Sequence, residues 1–273
     1  MFVQQRRTTR LGGALRMGEL IFHATVRKIR SNHGNPIIGL ALNIMQTVVL
    51  VLVFYVMFSV LGLKGNKVRG DFLLFLMSGI FLFLTHNKAL GAVVGAEGPT
   101  SPMMKHAPMN PIVAVAASAL SVLYLQVLSA AVVLFVYHAA FKPITIFQPA
   151  GAMAMLLLAW ISGVAIGLVL MAIKPWFPTA VGLVSTIYQR ANMIASGKMF
   201  VVNALPAHLM AYFTWNPLFH TIDQARGFTF LNYNPHFTSI SYPIYLSLAL
   251  IMIGMMGEFF TRKHASLSWG AGQ

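Results

Sequence analysis

Long apolar runs set the strongest limit on how this chain can fold. A helix that crosses a bilayer needs about 20 mostly apolar residues, because the hydrocarbon core is about 30 Å thick. Five runs have this length, at residues 37–61, 71–91, 112–137, 150–173 and 243–260. Charged residues make up only 9% of the chain, against about a quarter in an ordinary globular domain. The sequence therefore predicts an all-α integral membrane protein whose surface is largely covered by lipid.

A sixth run at residues 178–197 is more polar than the other five. Lipid-exposed polar groups are expensive, so this helix should face protein or an aqueous path. With this run the sequence predicts six transmembrane helices. The polar residues of the run are Ser185, Thr186, Gln189, Arg190 and Asn192.

Before the first run, the sequence predicts an amphipathic helix at residues 11–30. Such a helix is too polar to span and should lie in the headgroup plane. We therefore divide the chain into a cytoplasmic leader with an interfacial helix (1–35) and a six-span domain (36–273). No cleavable signal peptide is visible, so the first span is expected to remain as an anchor. The apolar stripe consists of Leu11, Leu15, Phe22, Val26 and Ile29.

The basic residues, which give a net charge of +14, are distributed unevenly. Seven of the nineteen precede the first span, and placing both termini in the cytoplasm puts twelve inside, Lys88 among them, and six outside. Arg190, within a span, is counted on neither side. This asymmetry follows the positive-inside rule and predicts cytoplasmic termini. Attraction to anionic membrane lipids explains the charge, so we expect no nucleic-acid partner.

Several classes of function are disfavoured by missing patterns. The chain has no cysteine, and its histidines show no metal-ligand spacing, so neither a metal nor a cofactor is expected. The pair Gly197-Lys198 lacks the other residues of a phosphate-binding loop, so any ATP hydrolysis needs a separate subunit. We expect no enzymatic activity. A secondary transporter or channel stays open, although Arg190 has no intramembrane carboxylate beside it.

Two connections are too long to be simple turns. The cytoplasmic one, residues 91–111, contains Glu97, Lys105 and His106. The external one, residues 198–242, is rich in aromatics and prolines. Its two apolar pieces, residues 205–213 and 218–230, are too short to span, which predicts re-entrant or interfacial helices before the last span.

Some residues allow both a structural and a functional interpretation. Arg190 either pairs with a polar neighbour or lines a path where it binds phosphate or carboxylate. Tyr212 and Trp215 either anchor the chain at the interface or stack against sugar rings. Two glycine pairs, Gly91 with Gly95 and Gly163 with Gly167, are spaced for close helix approach.

The most specific pattern lies between residues 190 and 226. It resembles the end of the fifth span and the external re-entrant region of polysaccharide-exporting ABC permeases, in order and spacing across about forty residues. Lys198 and Met199 stand where that family tends to be apolar, and Asp223 stands where glutamate is more usual. The matching residues are Arg190, Ser196-Gly197, Phe200, Leu205-Pro206, Trp215-Asn216-Pro217-Leu218, His220, Asp223 and Arg226.

The resemblance implies a permease homodimer with two separate ATP-binding subunits in a bacterial inner membrane. Capsular polysaccharide is the favoured substrate, and O-antigen or teichoic acid is the alternative. The glycan would pass between the protomers, along a path to which we assign Arg190, Lys198, Tyr212, Trp215 and Arg226. The cytoplasmic connection with Glu97, Lys105 and His106 would dock on the ATP-binding subunit.

Overall fold

The computed structural model describes residues 10–33, 35–62, 71–96 and 111–264, and this part of the chain is helical without strands. A short 3₁₀ turn at Val202–Ala204 lies between the sixth and seventh helices. The helices in order are α1 (Arg10–His33), α2 (Pro36–Val60), α3 (Phe72–Val94), α4 (Pro111–Ala140), α5 (Pro149–Ile173), α6 (Pro178–Ala195), α7 (Ala207–Met210), α8 (Pro217–Thr229) and α9 (Ser241–His264).

Five of these helices (α2, α3, α4, α5 and α9) are long and apolar enough to cross a membrane. The predicted all-α membrane fold is confirmed. The sixth predicted span coincides with α6, which has 18 residues and is the most polar of the six. The count of six spans and the boundary at residue 35 stay predictions. The short helices α7 and α8 lie before the last span, where the sequence predicts re-entrant elements.

Short local signals in the sequence determine where several helices begin. Pro36 and Pro217 occupy first-turn positions, where the missing N–H removes no helical hydrogen bond. The asparagine before each proline accepts a hydrogen bond from the backbone N–H two residues on, at 3.0 Å in both cases. Asp71 caps α3 in the same way, at 2.9 Å from the Leu73 nitrogen. These caps satisfy N–H groups that the helix itself leaves unpaired.

Helix α3 forms the centre of the bundle and α9 its periphery. Within an apolar stretch of 18 residues in each helix, 83% of the residues of α3 are buried, against 17% of those of α9. Helix α5 packs along both, and its glycines permit close approach. A Cβ on Gly163 would lie 2.3 Å from the carbonyl oxygen of His86, and one on Gly167 would lie 2.9 Å from Cβ of Val93. The predicted close approach is confirmed at these two glycines, whereas a Cβ on Gly91 would meet only the Gln189 side chain, at 3.9 Å.

The amphipathic leader helix forms as α1, which packs against α4 and α2 and leaves Leu15, Leu20 and Phe22 exposed. One basic residue lies elsewhere than predicted. Lys88 falls within α3 rather than in a loop, and its ammonium donates a hydrogen bond to the Asn43 side chain of α2. Without it the asymmetry of basic residues is eleven to six, which still favours cytoplasmic termini.

Candidate functional site

Asn216 connects three helices at the start of α8. Besides capping α8, its amide nitrogen donates to the Asn192 side chain of α6 at 2.8 Å and to the Ala195 carbonyl at 3.1 Å. The Asn192 amide in turn donates to the Asn87 side chain of α3, at 3.1 Å. Asn216 and Asn192 are almost completely buried. This chain of amides therefore fixes α8 and α6 to the central helix.

His220 joins the two ends of the segment around α8. Its Nδ1 accepts a hydrogen bond from the Ser239 nitrogen at 3.1 Å, so Nε2 carries the proton and donates to the Thr214 carbonyl at 2.8 Å. Burial lowers the pKa of His220, with the Thr214 hydrogen bond and Asp223 acting in the opposite direction. The imidazole therefore acts as a neutral structural bridge.

Asp223 holds the chain that returns from α8 towards the last span. Its carboxylate accepts hydrogen bonds from the hydroxyls of Tyr233 and Thr238, the latter at 2.7 Å. Burial raises the pKa of this carboxyl, whereas the two hydrogen bonds and the charge of Arg226 lower it. Asp223 thus ties the 233–238 loop to α8.

Arg226 is completely buried, and its two terminal nitrogens donate to the backbone between α6 and α7, whereas its Nε has no hydrogen-bond partner among the described residues. Its Nη1 donates to the carbonyls of Gly197 and Phe200 at 3.0 and 2.7 Å, and its Nη2 donates to that of Lys198 at 2.7 Å. The guanidinium carbon lies 3.9 Å from the ring centroid of Phe75 on α3. Only a planar, forked cation reaches three carbonyls at once. Arg226 therefore shapes the loop instead of opening into a cavity.

Lys198 is also buried, with 1% of its surface exposed. Its Nζ donates to the Met193 carbonyl at 2.7 Å and lies 3.6 Å from the ring centroid of Phe83. Burial lowers its pKa to about 7. The preceding Gly197 has φ of +72°, a conformation that favours glycine. The turn thus directs Lys198 inward.

Arg190, in contrast, faces away from the rest of the protomer. Helix α6 packs through one edge, where Val181, Ser185 and Asn192 are buried. Arg190 is exposed and makes no hydrogen bond or ion pair with the part of the chain that the structure describes. At a spacing of three and four residues it shares an outward stripe with three exposed apolar side chains, Leu183, Ile187 and Ile194.

Tyr212 and Trp215 are exposed aromatics of the 190–226 pattern, with 71% and 51% of their surfaces accessible. The indole nitrogen of Trp215 donates to the Tyr212 carbonyl at 2.7 Å, and the Trp215 carbonyl accepts from the Tyr242 hydroxyl at 2.7 Å. The backbone is thereby fixed while the ring faces stay open. Such faces can stack on a flat apolar surface.

The five residues assigned to the substrate path thus divide into two groups. Arg190, Tyr212 and Trp215 are exposed, and Lys198 and Arg226 are buried against backbone carbonyls. Their role in the path stays a prediction. Glu97, Lys105 and His106, assigned to ATPase coupling, lie outside the described residues. No group of three or more His, Asp or Glu side chains in the described ranges could hold a metal ion.

Sequence reasoning did not identify Asn192 and Asn87 as partners of the Asn216 cap. The adjacent Asn216-Pro217 pair predicts a helix start, but the sequence gives no sign of which distant amide lies beside it. The aromatic contacts of the two buried cations with Phe75 and Phe83 were missed for the same reason. The sequence does not show which phenylalanine of an apolar run lies against a cation from a distant part of the chain.

Comparison with known proteins agrees with this architecture. No curated protein matches the chain at a significant level. The family of ABC-2 type transporters matches residues 19–230, which covers α1 partly, α2 to α8 fully and the whole 190–226 pattern. A membrane component of this family requires a partner ATP-binding subunit. The chain belongs to the ABC-2 type transporter family and is the multi-pass permease of an ABC exporter.

Proposed function

We propose that the exporter moves lipid-linked polysaccharide across a bacterial inner membrane, with capsular polysaccharide as the favoured substrate. The family match supports an exporting permease. The pattern from Arg190 to Arg226, which resembles polysaccharide exporters, supports the choice of substrate. O-antigen and teichoic acid share the lipid-linked, largely polar character of this substrate and remain the alternatives.

The outward face of α6 is the observation that carries the proposal of a homodimer with a central path. An arginine placed in lipid at mid-membrane costs at least about 2.5–3.5 kcal/mol. Arg190 is exposed between apolar neighbours on this face. A second copy of the chain covers the apolar side chains and leaves Arg190 at an aqueous seam between the protomers. The guanidinium then binds phosphate or carboxylate groups of the passing glycan.

The two exposed aromatics extend this path. Tyr212 and Trp215 offer ring faces to sugar rings, and both lie in the same segment as Arg190. Lys198 and Arg226 act indirectly in this proposal. Their hydrogen bonds to backbone carbonyls hold the loop between α6 and α7 in place.

Disulfide crosslinking tests the dimer directly, because the chain has no cysteine of its own. Ile187→Cys or Ile194→Cys should give a crosslinked dimer in membranes, since both positions lie on the outward stripe of α6. Met252→Cys is the matched control, because this side chain of α9 is equally exposed on another face. Crosslinking at Met252 and at neither α6 position would place the interface elsewhere.

A reconstitution experiment tests the transport itself. The permease and its ATP-binding subunit, together in proteoliposomes, should move a lipid-linked capsular glycan only when ATP is supplied. Transport by the permease alone under an ion gradient would instead support a secondary transporter. Lipid-linked O-antigen and teichoic acid, added separately, decide between the three substrates.

Coupling and topology require their own tests. We propose that the connection with Glu97, Lys105 and His106 contacts the ATP-binding subunit and that both termini are cytoplasmic. Cysteines placed at Glu97 and Lys105 should crosslink to that subunit, and efficient labelling of both from outside the cell would exclude the contact. A reporter fused after Gln273 should be active only in the cytoplasm.

A further inference from the structure

A cavity of about 530 Å³ lies at the start of α3, and its lining is partly polar. Asp71, the N-cap of α3, forms one side of this polar cavity. Lys142 and Thr145, in the connection between α4 and α5, form another, and Thr229 at the end of α8 closes it. Lys142 is exposed. The cavity therefore has one accessible cation and one carboxylate in its walls.

A second cavity of about 230 Å³ forms an apolar groove between α3, α4 and α5. The groove shares Leu74, Ile146 and Thr229 with the polar cavity, so the two are adjacent. The hydroxyl protons of the groove are already donated to backbone carbonyls and are not available to a ligand. The hydroxyl of Ser78 donates to the Phe75 carbonyl at 2.9 Å, and that of Thr229 donates to Ala225 at 2.7 Å.

The groove runs lengthwise between membrane-spanning helices. On α3 its wall extends from Leu74 to Leu82, which at 1.5 Å per residue is about 12 Å. The polar cavity lies at the end of this groove, where α3 begins and α4 ends. A site with a polar end and a long apolar groove is shaped for an amphipathic molecule, and the three long helices that line the groove are apolar enough to cross a membrane.

The charges of the polar cavity are paired like those of a zwitterion. The Asp71 carboxylate accepts hydrogen bonds from the Leu73 nitrogen and the Tyr137 hydroxyl, which leaves it able to attract a cation. Lys142 offers an ammonium group suited to phosphate. A phosphoethanolamine headgroup carries both complementary charges, whereas a purely anionic headgroup would meet Asp71 unfavourably.

We propose that this site binds one glycerophospholipid with a phosphoethanolamine headgroup, taken from the leaflet that surrounds the connection between α4 and α5. Its phosphate lies at Lys142, its ammonium at Asp71, and one acyl chain in the apolar groove. This connection is bonded to the end of α8, through Phe147 N to the Thr229 carbonyl at 3.2 Å and Gln148 N to that of Phe228 at 2.8 Å. The bound lipid therefore steadies α8 and is a structural partner, separate from the exported substrate.

Native mass spectrometry of the full chain, titrated with phosphatidylethanolamine, tests the site. Lys142→Gln should weaken binding of one lipid about threefold, as expected for an exposed ion pair. Ala131→Phe, which adds a ring at an exposed position of the groove, should weaken it more than tenfold. The matched controls are Lys263→Gln and Ala41→Phe, two exposed positions outside both cavities. If the variants bind as tightly as their controls, the site is wrong.

The headgroup is tested with a second series of lipids. The unaltered chain should prefer phosphatidylethanolamine to phosphatidylglycerol, and Asp71→Asn should remove this preference, because asparagine still caps a helix but carries no charge. Equal binding of the two lipids by the unaltered chain would overturn the proposed headgroup. Displacement of phosphatidylethanolamine by an isoprenyl phosphate at equal concentration would overturn the phospholipid assignment and indicate a carrier-lipid site.

Discussion

Helices α6 and α8 lie between the apolar helices α5 and α9. Both contain an arginine, but the two arginines have opposite surroundings. Arg226 of α8 is completely buried, with three backbone carbonyls as acceptors. Arg190 of α6 is exposed and has no partner in the described ranges. Residue type alone therefore does not separate a cation that supports the fold from one that is available to a ligand.

The difference comes from how much of each helix the protomer covers. Ten of the thirteen residues of α8 are buried, whereas α6 buries three of eighteen. A buried guanidinium is tolerable only when acceptors surround it. An outward guanidinium in an apolar stripe is costly to leave in lipid, and this cost supports the proposed dimer. The following predictions test this contrast, from the largest expected change in the free energy of unfolding to the smallest.

Replacing Arg226 should cause the largest loss of stability. Arg226→Ala removes three charge-assisted hydrogen bonds and leaves buried carbonyls unsatisfied, for an expected loss of about 3–5 kcal/mol. Thermal unfolding of the purified protein, followed by tryptophan fluorescence, measures it. Arg226→Lys should recover little, because one ammonium does not span the three acceptors. Arg262→Ala, at an exposed position on α9, is the control and should unfold at the temperature of the unaltered chain.

Glycine-to-alanine changes compare the surroundings of the buried Arg226 with the outward face of α6. A Cβ on Gly79 of α3 would lie 2.9 Å from Lys198 Cβ and 3.1 Å from Arg226 Nη2. Gly79→Ala should therefore destabilise the protein by about 1–3 kcal/mol. Gly182 of α6 has nothing within 4 Å of the same atom, so Gly182→Ala should be neutral or slightly stabilising. If both variants changed the free energy of unfolding equally in chemical denaturation, the contrast between the two sites would be wrong.

The pH dependence of stability should depend on His220. Burial lowers its folded-state pKa, so below the unfolded-state pKa of about 6.5 the unfolded chain binds more protons and stability falls. The loss is at most about 1.4 kcal/mol per pH unit in that window. Asp223, whose pKa burial raises, acts in the opposite direction.

Comparison with a variant isolates the histidine from Asp223 and the other titrating groups. His220→Gln keeps a donor and an acceptor but does not titrate. Melting temperatures of this variant should decline less than those of the unaltered chain between pH 7.5 and 5.5. Parallel curves would show that His220 is not held in its neutral form.

Replacing Arg190 should change stability least and transport most. Arg190→Ala should unfold within about 0.5 kcal/mol of the unaltered chain, because the exposed side chain has no partner within the described protomer. Export should fall while assembly with the ATP-binding subunit persists, and Arg190→Lys should restore it only partly. Loss of folded protein together with export would instead indicate a packing role. Normal export would exclude Arg190 from the path.

The sequence predicted the elements well where a local rule applies. The apolar runs gave five spans, and the short apolar piece at 218–230 corresponds to α8 within one residue. It predicted less well where a charge interrupts a helix. Lys88 was counted with the cytoplasmic loops, but it lies within α3, and the Asn43 side chain of α2 accepts its hydrogen bond within the bundle. That partner lies 45 residues away in the chain.

By itself, the sequence determined that this chain is a helical membrane protein, because 20 apolar residues in succession have one stable environment. It also identified the segment from residue 190 to 226 through its order of residues. Only the tertiary structure decided the orientation of each cation. The turn at Gly197 and the proximity of Phe75 and Phe83 put Lys198 and Arg226 inside, and the narrow contact edge of α6 leaves Arg190 outside. These contacts join residues far apart in the chain, and no local pattern encodes them.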